Sequence, residues 1–423
     1  MKNILILGSG TAGTIMANRL HRLYRWDVAQ GTVRITVVDQ DTTHVYQPGL
    51  LFIPFGVYQE RDVLRPRRRQ VAEDVRYIQS AIRSLDATSD TVVLENGDRL
   101  SYDVCILATG AHLAPEETEG LLGDEWQKSI FDFYTIEGAT ALAARLQSWP
   151  GGKLVINVVE NPIKCPVAPL EFAFLADWFF TMRGMRDKVE ITYATPLDGA
   201  FTKPICSQRL SYLLERKGIN LVTEFNAGSV DTDGMRLLSW DEREVPFDLL
   251  VTIPAHKGAS FIAGTPGLGN EMNFVFTNKH TLQARCKPNL FAIGDATDVP
   301  ASKAGSVAHF EAEILTDNVR RFLAGEPLEP AFDGHANCFI ETGFDKALLI
   351  DFNYEVEPHP GKFPIPVIGP MTLMEESRLN HLGKLAFKWV YWNLLLPGYD
   401  IPGIPPQMSM RGKQLVTAAE SAA

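Results

Sequence analysis

The chain has 423 residues, 45% of them hydrophobic and 22% charged, which suits a soluble globular enzyme of about two or three domains with a large core. A formal net charge of −11 argues against nucleic acid as the main partner. Five cysteines, odd in number and widely spaced, are no secreted disulfide framework, and no CxxC pair suggests zinc, so no metal is expected.

The N-terminal run MKNILILGSG leads straight into a glycine turn, unlike a signal peptide. No stretch supplies the roughly 18 apolar residues that a membrane-spanning helix needs. The chain is therefore expected to fold on the cytoplasmic side.

Lys2 to Leu7 reads as a short apolar strand, followed by Gly8-Ser9-Gly10-Thr11-Ala12-Gly13 and the helical pattern Ile15, Met16, Leu20. A second strand, Ile35 to Val38, ends in Asp39 and Gln40. This is a dinucleotide fingerprint in its proper context of strand, glycine turn, helix, strand and acid. Gly8 permits the tight turn, Gly10 lets the backbone approach a pyrophosphate, and Gly13 lets the helix pack closely on the strand. Asp39 is expected to accept from the adenosine ribose, with Thr11, Ala12 and Gln40 also in contact with the nucleotide.

His44 to Leu50 has apolar residues that suit either a flavin pocket or plain core. Arg65 to Arg69 reads as a solvated basic run. Short alternating strands are expected over residues 75–100. The run from Tyr102 to Ala111 gives a buried strand, Asp103 to Leu107, and the turn Ala108-Thr109-Gly110 beside the nucleotide. Cys105, within that strand, reads as a core cysteine.

A second strand-helix unit opens at Lys153 to Glu171. Its strand, Leu154 to Val159, is followed by Glu160-Asn161-Pro162-Ile163-Lys164-Cys165-Pro166, with no glycine where an NAD(P)H cradle would have them. Instead Cys165 is expected at a helix start, where the dipole and the neighbouring Lys164 lower a thiol pKa. Glu171, in the same helix, reads either as a proton-transfer group or as a solvent-facing acid. Val189 to Ala194 continues the unit as a strand. A helix from Ser207 to Arg216 follows Cys206, which is either a third redox thiol or an ordinary thiol near a helix start. Phe247 to Pro254 echoes the earlier closing strand, so two nested nucleotide-binding folds are expected.

Pro288 to Ile293 is a strand ending in Gly294-Asp295, where Asp295 can accept from a flavin ribityl chain. Ser302-Lys303-Ala304-Gly305 precedes a helix over 307–323 whose first amides face a flavin carbonyl edge. Lys303 is expected to add positive charge there, against the plainer reading of a surface lysine. One fingerprint with Gly294-Asp295 calls for FAD.

The tail begins near residue 331 and holds Cys338, followed by apolar residues. A proline-rich segment, Pro358 to Pro370, precedes a helical pattern over Leu373 to Leu396 with Leu379, Leu382, Ala386 and Trp389 on one face. Trp389, Tyr391 and Trp392 with Lys384 and Lys388 suit an amphipathic helix lying in a membrane interface, or one packed on the protein or a second copy. Residues after Met408 are expected to be disordered.

The expected architecture is α/β, with two nested Rossmann-like domains and a C-terminal membrane-associating segment. The FAD domain takes residues 1–115 and 270–330, the second Rossmann-like domain 150–265, and a quinone and membrane region 331–423.

These motifs together resemble the sulfide:quinone oxidoreductases, flavoproteins with two nucleotide folds related to flavocytochrome c sulfide dehydrogenase and type II NADH dehydrogenase. The residues that carry the resemblance are the glycine turn at 8–13, Ala108-Thr109-Gly110, Lys164-Cys165-Pro166 with Glu171, Gly294-Asp295, Lys303-Ala304-Gly305, and Cys338 ahead of an amphipathic tail. It spans essentially the whole chain. It implies that hydrosulfide attacks a Cys165–Cys338 disulfide or polysulfide bridge, that two electrons pass to FAD, and that sulfur leaves as polysulfide or elemental sulfur. Family precedent gives the flavin-reactive thiol to Cys338. The resemblance also implies a membrane quinone as acceptor, peripheral attachment to the cell membrane, and a homo-oligomer. The chain departs from the family in one respect: residues 106–164 hold no cysteine, whereas several members carry a third essential one there. Alternative readings are a type II NADH:quinone dehydrogenase, a sulfide dehydrogenase subunit serving a cytochrome c, or a flavin-binding sensor without turnover.

Overall fold

The computed structural model describes residues 1–416. Strand β1 (Lys2–Leu7), helix α1 (Thr11–Leu23) and strand β2 (Val33–Asp39) form the opening unit, joined by β3 (Arg76–Gln79) and β4 (Val104–Leu107). A second unit contains β5 (Ile130–Phe131), β6 (Gly152–Val158), helix α2 (Ala168–Met182), β7 (Val189–Ala194), helix α3 (Pro204–Arg216), β8 (Ile219–Val222) and β9 (Leu249–Ile253). The chain then returns to the first unit with β10 (Leu290–Ala292) and helix α4 (Gly305–Ala324).

The two central sheets have five strands each, in the orders β10-β4-β1-β2-β3 and β5-β9-β6-β7-β8, and every pairing in them is parallel. Parallel strands covered on both faces need apolar side chains on both faces. That is why Val104-Cys105-Ile106-Leu107 reads as an unbroken apolar run and Leu249 to Ile253 as one interrupted only by Thr252, and why both are wholly buried. Cys105 lies in that core as expected. The echo between the two closing strands reflects equivalent places, β4 beside β1 and β9 beside β6.

The tail is built from two antiparallel hairpins and a helix: β11 (Ala336–Gly343) with β12 (Lys346–Phe352), β13 (Gly361–Ile365) with β14 (Gly369–Leu373), and α5 (Arg378–Val390). The helix expected over 373–396 is thus shorter. Leu373 closes a strand, Ser377 caps α5 through its side chain, and after Val390 the chain widens into a π turn, Tyr391–Leu395. Beyond it the tail crosses α1: Asn18 Nδ2 donates to the Leu396 carbonyl at 2.7 Å, Arg22 Nη1 to Gly398 at 2.7 Å, and Arg19 pairs with Asp400 at 2.6 Å.

Disorder after Met408 is also corrected for the described residues. The Lys413 amine reaches Asp351 Oδ2 at 2.6 Å, and the two side chains are only 1% and 3% exposed. His335 Nε2 holds the other Asp351 oxygen at 2.8 Å. A buried lysine must be matched by charge and hydrogen bonds, so this triad pins the tail in place. The expectation of disorder for residues 417–423 lies outside the described residues.

Candidate active site

Both sheets turn their C-terminal strand ends toward one cavity of about 880 Å³, the usual place for a ligand in open α/β sheets. Its walls include Gly8, Gly10, Thr11, Ala12, Asp39, Gln40, Thr109, Gly110, Gly294, Asp295 and Lys303 to Gly305, together with Cys165, Glu171 and Cys338.

The glycine turn has the geometry that its spacing implies. Gly8 has φ +96°, and a Cβ there would lie 2.4 Å from the Ala108 carbonyl oxygen. A Cβ on Gly13 would fall 2.0 Å from the Gly8 carbonyl oxygen, so helix and strand touch through this glycine. Gly10 differs, since nothing stands within 4 Å of its would-be Cβ, and it faces the cavity. Space kept clear at the N-terminus of α1 fits the pyrophosphate of FAD. Asp39 Oδ2 accepts from the Ser9 amide at 2.5 Å and from Arg67 Nη1 at 2.6 Å, and Oδ1 accepts from the Asp41 amide at 2.9 Å. The acid therefore holds the turn and keeps one acceptor direction for a ribose. Arg67 corrects the reading of a solvated basic run, because its side chain is 11% exposed and lines the site. Arg65 stacks over Trp392 at 4.3 Å. In both cases the partner is remote in sequence.

Lys303 is not a surface residue. Its amine donates to the carbonyls of Asp295 (2.9 Å) and Thr297 (2.7 Å) and lies 4.0 Å from the centre of the Phe274 ring. Burial raises the Asp295 carboxyl, opposed by Lys303 and then Lys164. Helix α4 begins at Gly305, two residues earlier than expected, so its first amides border the cavity.

Cys165 departs most from expectation. Helix α2 begins at Ala168, not beside the cysteine, and Cys165 occupies the left-handed region at φ +46°. Its amide donates to the Lys303 carbonyl at 2.7 Å, and its carbonyl accepts from the Ala168 amide (2.9 Å) and the Tyr134 hydroxyl (3.1 Å). The turn that would cradle a second pyrophosphate is thus stitched to the flavin-side helix start. The thiol is not lowered: burial, then Glu171, pushes it up to about 12, against the pull of Lys384. Lys164 is not the compensating cation. It is buried, with its charge set against Asp295 and Asp132.

Cys338 lies on β11, opposite Ile350, and faces the same cavity. Its thiol is raised by burial and then by the charge of Cys165, so the two sulfurs are within electrostatic reach of each other; both are free thiols here. Cys206 is fully buried in α3, feels the charge of Cys338, and does not line the cavity.

Glu171 is buried, not solvent-facing. Its Oε1 accepts from the Glu341 amide at 2.7 Å and from the Lys384 amine, while Oε2 has no partner among the described residues. Lys384 also donates to the Phe339 carbonyl at 3.1 Å, so it belongs to the site interior and not to a membrane-facing surface. Beyond it, His381 Nδ1 lies 3.0 Å from each Glu341 oxygen. Lys384, Glu341, His381, Tyr134, Arg67 and Tyr391 were not singled out as site residues from sequence. The i, i+3 spacing of His381 and Lys384 on a helix is the one sequence signal that links any of them.

The remaining wall is apolar, formed by Phe363, Pro364, Met371, Phe387 and Val390 of β13, β14 and α5. Exposed apolar residues lie at the tip of the β13–β14 hairpin (Ile365, Val367 and Ile368) and on α5 (Leu379, Leu382 and Trp389). Tyr391 and Trp392, expected at a membrane surface, are buried instead. Among the described residues no helix is long and apolar enough to cross a membrane.

Fold and site define an FAD-dependent oxidoreductase with two nested nucleotide-binding folds, the second occupied by a cysteine turn. Residues 2–159 match the pyridine nucleotide-disulphide oxidoreductase family. Within that class the chain is similar to sulfide:quinone oxidoreductases. It is 23% identical over 403 residues to the mitochondrial enzyme of Mus musculus, covering 94% of this chain and 86% of that protein. It is 22% identical over 417 residues to the sulfide-quinone reductase of Aquifex aeolicus, covering 93% and 91%. The crystal structure of the Aquifex aeolicus sulfide:quinone oxidoreductase superposes with a TM-score of 0.75 at 20% identity, covering 93% of this chain and 92% of that one. A Mycobacterium tuberculosis NADH dehydrogenase-like protein is 31% identical over 162 residues, only 36% of each chain.

Proposed function

We propose that this protein oxidises hydrosulfide at Cys165 and Cys338 and passes two electrons through FAD to a quinone. The observation that carries this is that two cysteines 173 positions apart (338 − 165) open into one cavity with the flavin cradle, at the turn where a nicotinamide cofactor would otherwise sit. Similarity to sulfide:quinone oxidoreductases over nearly the whole chain supports the same reading.

FAD, when bound, supplies a two-electron acceptor for the sulfur and donor for the quinone. Hydrosulfide attacks one sulfur of a Cys165–Cys338 bridge: a new S–S bond forms, the old one breaks, and a persulfide and a thiolate remain. Closing the bridge again around the added sulfur gives up the two electrons. The raised thiols need a nearby base and a cation, and Glu171 with its open Oε2 and Lys384 are placed to serve. Asp39 and the amides of the glycine turn would hold the nucleotide end, and Asp295 and the start of α4 the flavin end. The Cys165 amide is already engaged by the Lys303 carbonyl and its carbonyl by Ala168 and Tyr134, which argues against a cradle for NAD(P)H there.

The apolar wall suits a quinone, and the exposed apolar residues outside it suit peripheral attachment to a membrane, so that the quinone enters from lipid. The test is a visible absorption spectrum of the yellow protein after sulfide and, separately, after NADH. Bleaching by sulfide alone, reversed by a short-chain quinone, is expected; rapid bleaching by NADH overturns the reading.

A further inference from the structure

Sulfide oxidation by quinone does not balance without a proton: HS⁻ + quinone + H⁺ gives S⁰ + quinol. One proton must therefore reach the cavity from solvent for each electron pair, past walls that are largely apolar.

A set of charged groups, hydrogen-bonded in two pairs that feel each other's charge, runs from this cavity to the surface. Glu171, one of the residues lining the cavity, stands at the inner end, buried, and among the described residues its Oε2 has no hydrogen-bond partner. The Lys384 ammonium is bonded to its other oxygen and also feels Glu341. Glu341, on β11, is buried, and both its oxygens lie 3.0 Å from His381 Nδ1. His381 is 19% exposed and sits one turn before Lys384 on α5. Other titratable groups facing this set are Tyr58, whose ring carries the Lys388 amine 4.1 Å from its centre, Tyr46 and Tyr134 beside Glu171, and the thiols Cys165 and Cys338.

We propose that His381 and Glu341 are the route by which protons pass between solvent and the redox cavity, through Lys384 to Glu171. Solvent protonates His381, which hands its proton to Glu341. Lys384 takes that proton as it releases another to Glu171, so the ammonium keeps its charge, and Glu171 gives its proton to a quinone oxygen. Only N–H and O–H bonds form and break, and no electron moves along the route. This inference rests on the sulfide-to-quinone reading, but its test separates the two.

Stopped-flow spectroscopy resolves the half-reactions. In Glu341→Gln and His381→Ala, bleaching by sulfide is expected to stay within about twofold of wild type, while reoxidation by a short-chain quinone slows roughly ten- to a hundredfold, as for loss of a positioned proton-transfer group. Imidazole in the buffer is expected to restore reoxidation in His381→Ala only. Burial raises Glu341 to about 6, so wild-type reoxidation should break near pH 6 and lose that break in Glu341→Gln. Infrared titration of the purified protein should show a carboxyl band ionising near pH 6 that is absent in Glu341→Gln. Unchanged reoxidation in both variants, or a Glu341 carboxyl that is already ionised well below that pH, overturns the route. A wild-type protein that sulfide does not bleach counts against the function, and the infrared titration still decides whether Glu341 is a proton-exchanging carboxyl.

Discussion

The Tyr391 hydroxyl, from the tail, lies 2.7 Å from Thr11 Oγ1 in the glycine turn and 2.7 Å from His44 Nε2. His44 stays neutral because burial, and then the Arg67 cation, lower it to about 3. A residue 380 positions downstream thus braces the first turn of the chain.

Tyr391→Phe leaves Thr11 and His44 without this partner. A lost hydrogen bond costs about 0.5–1.5 kcal/mol, so FAD affinity is expected to fall roughly two- to tenfold. The fluorescence of released FAD on dilution measures it. An unchanged affinity would show that the contact does not reach the cofactor.

The cysteines are expected to divide into two groups. Cys165→Ser and Cys338→Ser should each lose bleaching by sulfide by about a hundredfold or more, at the scale of removing a nucleophile. Cys206→Ala should stay within about twofold, because this thiol lies outside the cavity. Loss of bleaching in Cys206→Ala would bring the third cysteine into sulfur transfer.

Glu311 gives a pH signature of stability. It is buried and accepts from the Gly294 amide at 2.7 Å, and burial raises it to about 8 from an ordinary 4.5. The folded state then binds the proton more tightly, so stability is greatest below pH 4.5 for this group and falls as pH rises to about 8. Other carboxylates act in the opposite sense at the acid end, which makes the difference between wild type and Glu311→Gln the clean measurement. The variant is expected to gain thermal stability relative to wild type from pH 5 to pH 8, at about 1.4 kcal/mol for each unit of effective shift. Parallel melting curves across that range would exclude a proton on Glu311.

Membrane attachment through the outer faces predicts that aspartate at Leu382 or Trp389, or at Val367 (87% exposed), weakens sedimentation with anionic vesicles. The double variant Val367→Asp, Leu382→Asp should lose about tenfold or more, since each change removes buried apolar area from the lipid-bound state. Equal sedimentation of wild type and variant would assign this face to something other than lipid. Sulfide bleaching monitors the integrity of the fold.

The glycine turn, Asp39, the paired closing strands and the two cavity cysteines were legible because local spacing encodes them. The apolar face Leu379, Leu382, Ala386 and Trp389 was also read correctly, and all four residues are exposed. What spacing could not give was the partner of each polar group. Lys384 looks like an interfacial lysine until Glu171, on α2 and 213 positions away, claims it. Arg67 looks solvated until Asp39 does the same. Tyr391 and Trp392 extend an apolar helical pattern, yet a π turn redirects them inward. The thiol pKa eludes the sequence for a related reason: the helix starts at Ala168, two residues past the expected start near Pro166, and the burial that opposes ionisation is a property of the assembled site.

The tail's passage over α1 bears on how the holoprotein is made. On the ribosome the glycine turn emerges some 380 residues before Tyr391, and Leu396, Gly398 and Asp400, which with Tyr391 close over it and α1, come later still. A nascent chain holds the cradle long before the clasp, so firm retention of FAD waits for the tail to be made. Deleting the tail to detach the protein from lipid would also delete that clasp and one wall of the cavity. A truncated form that fails to work would therefore say nothing about membranes.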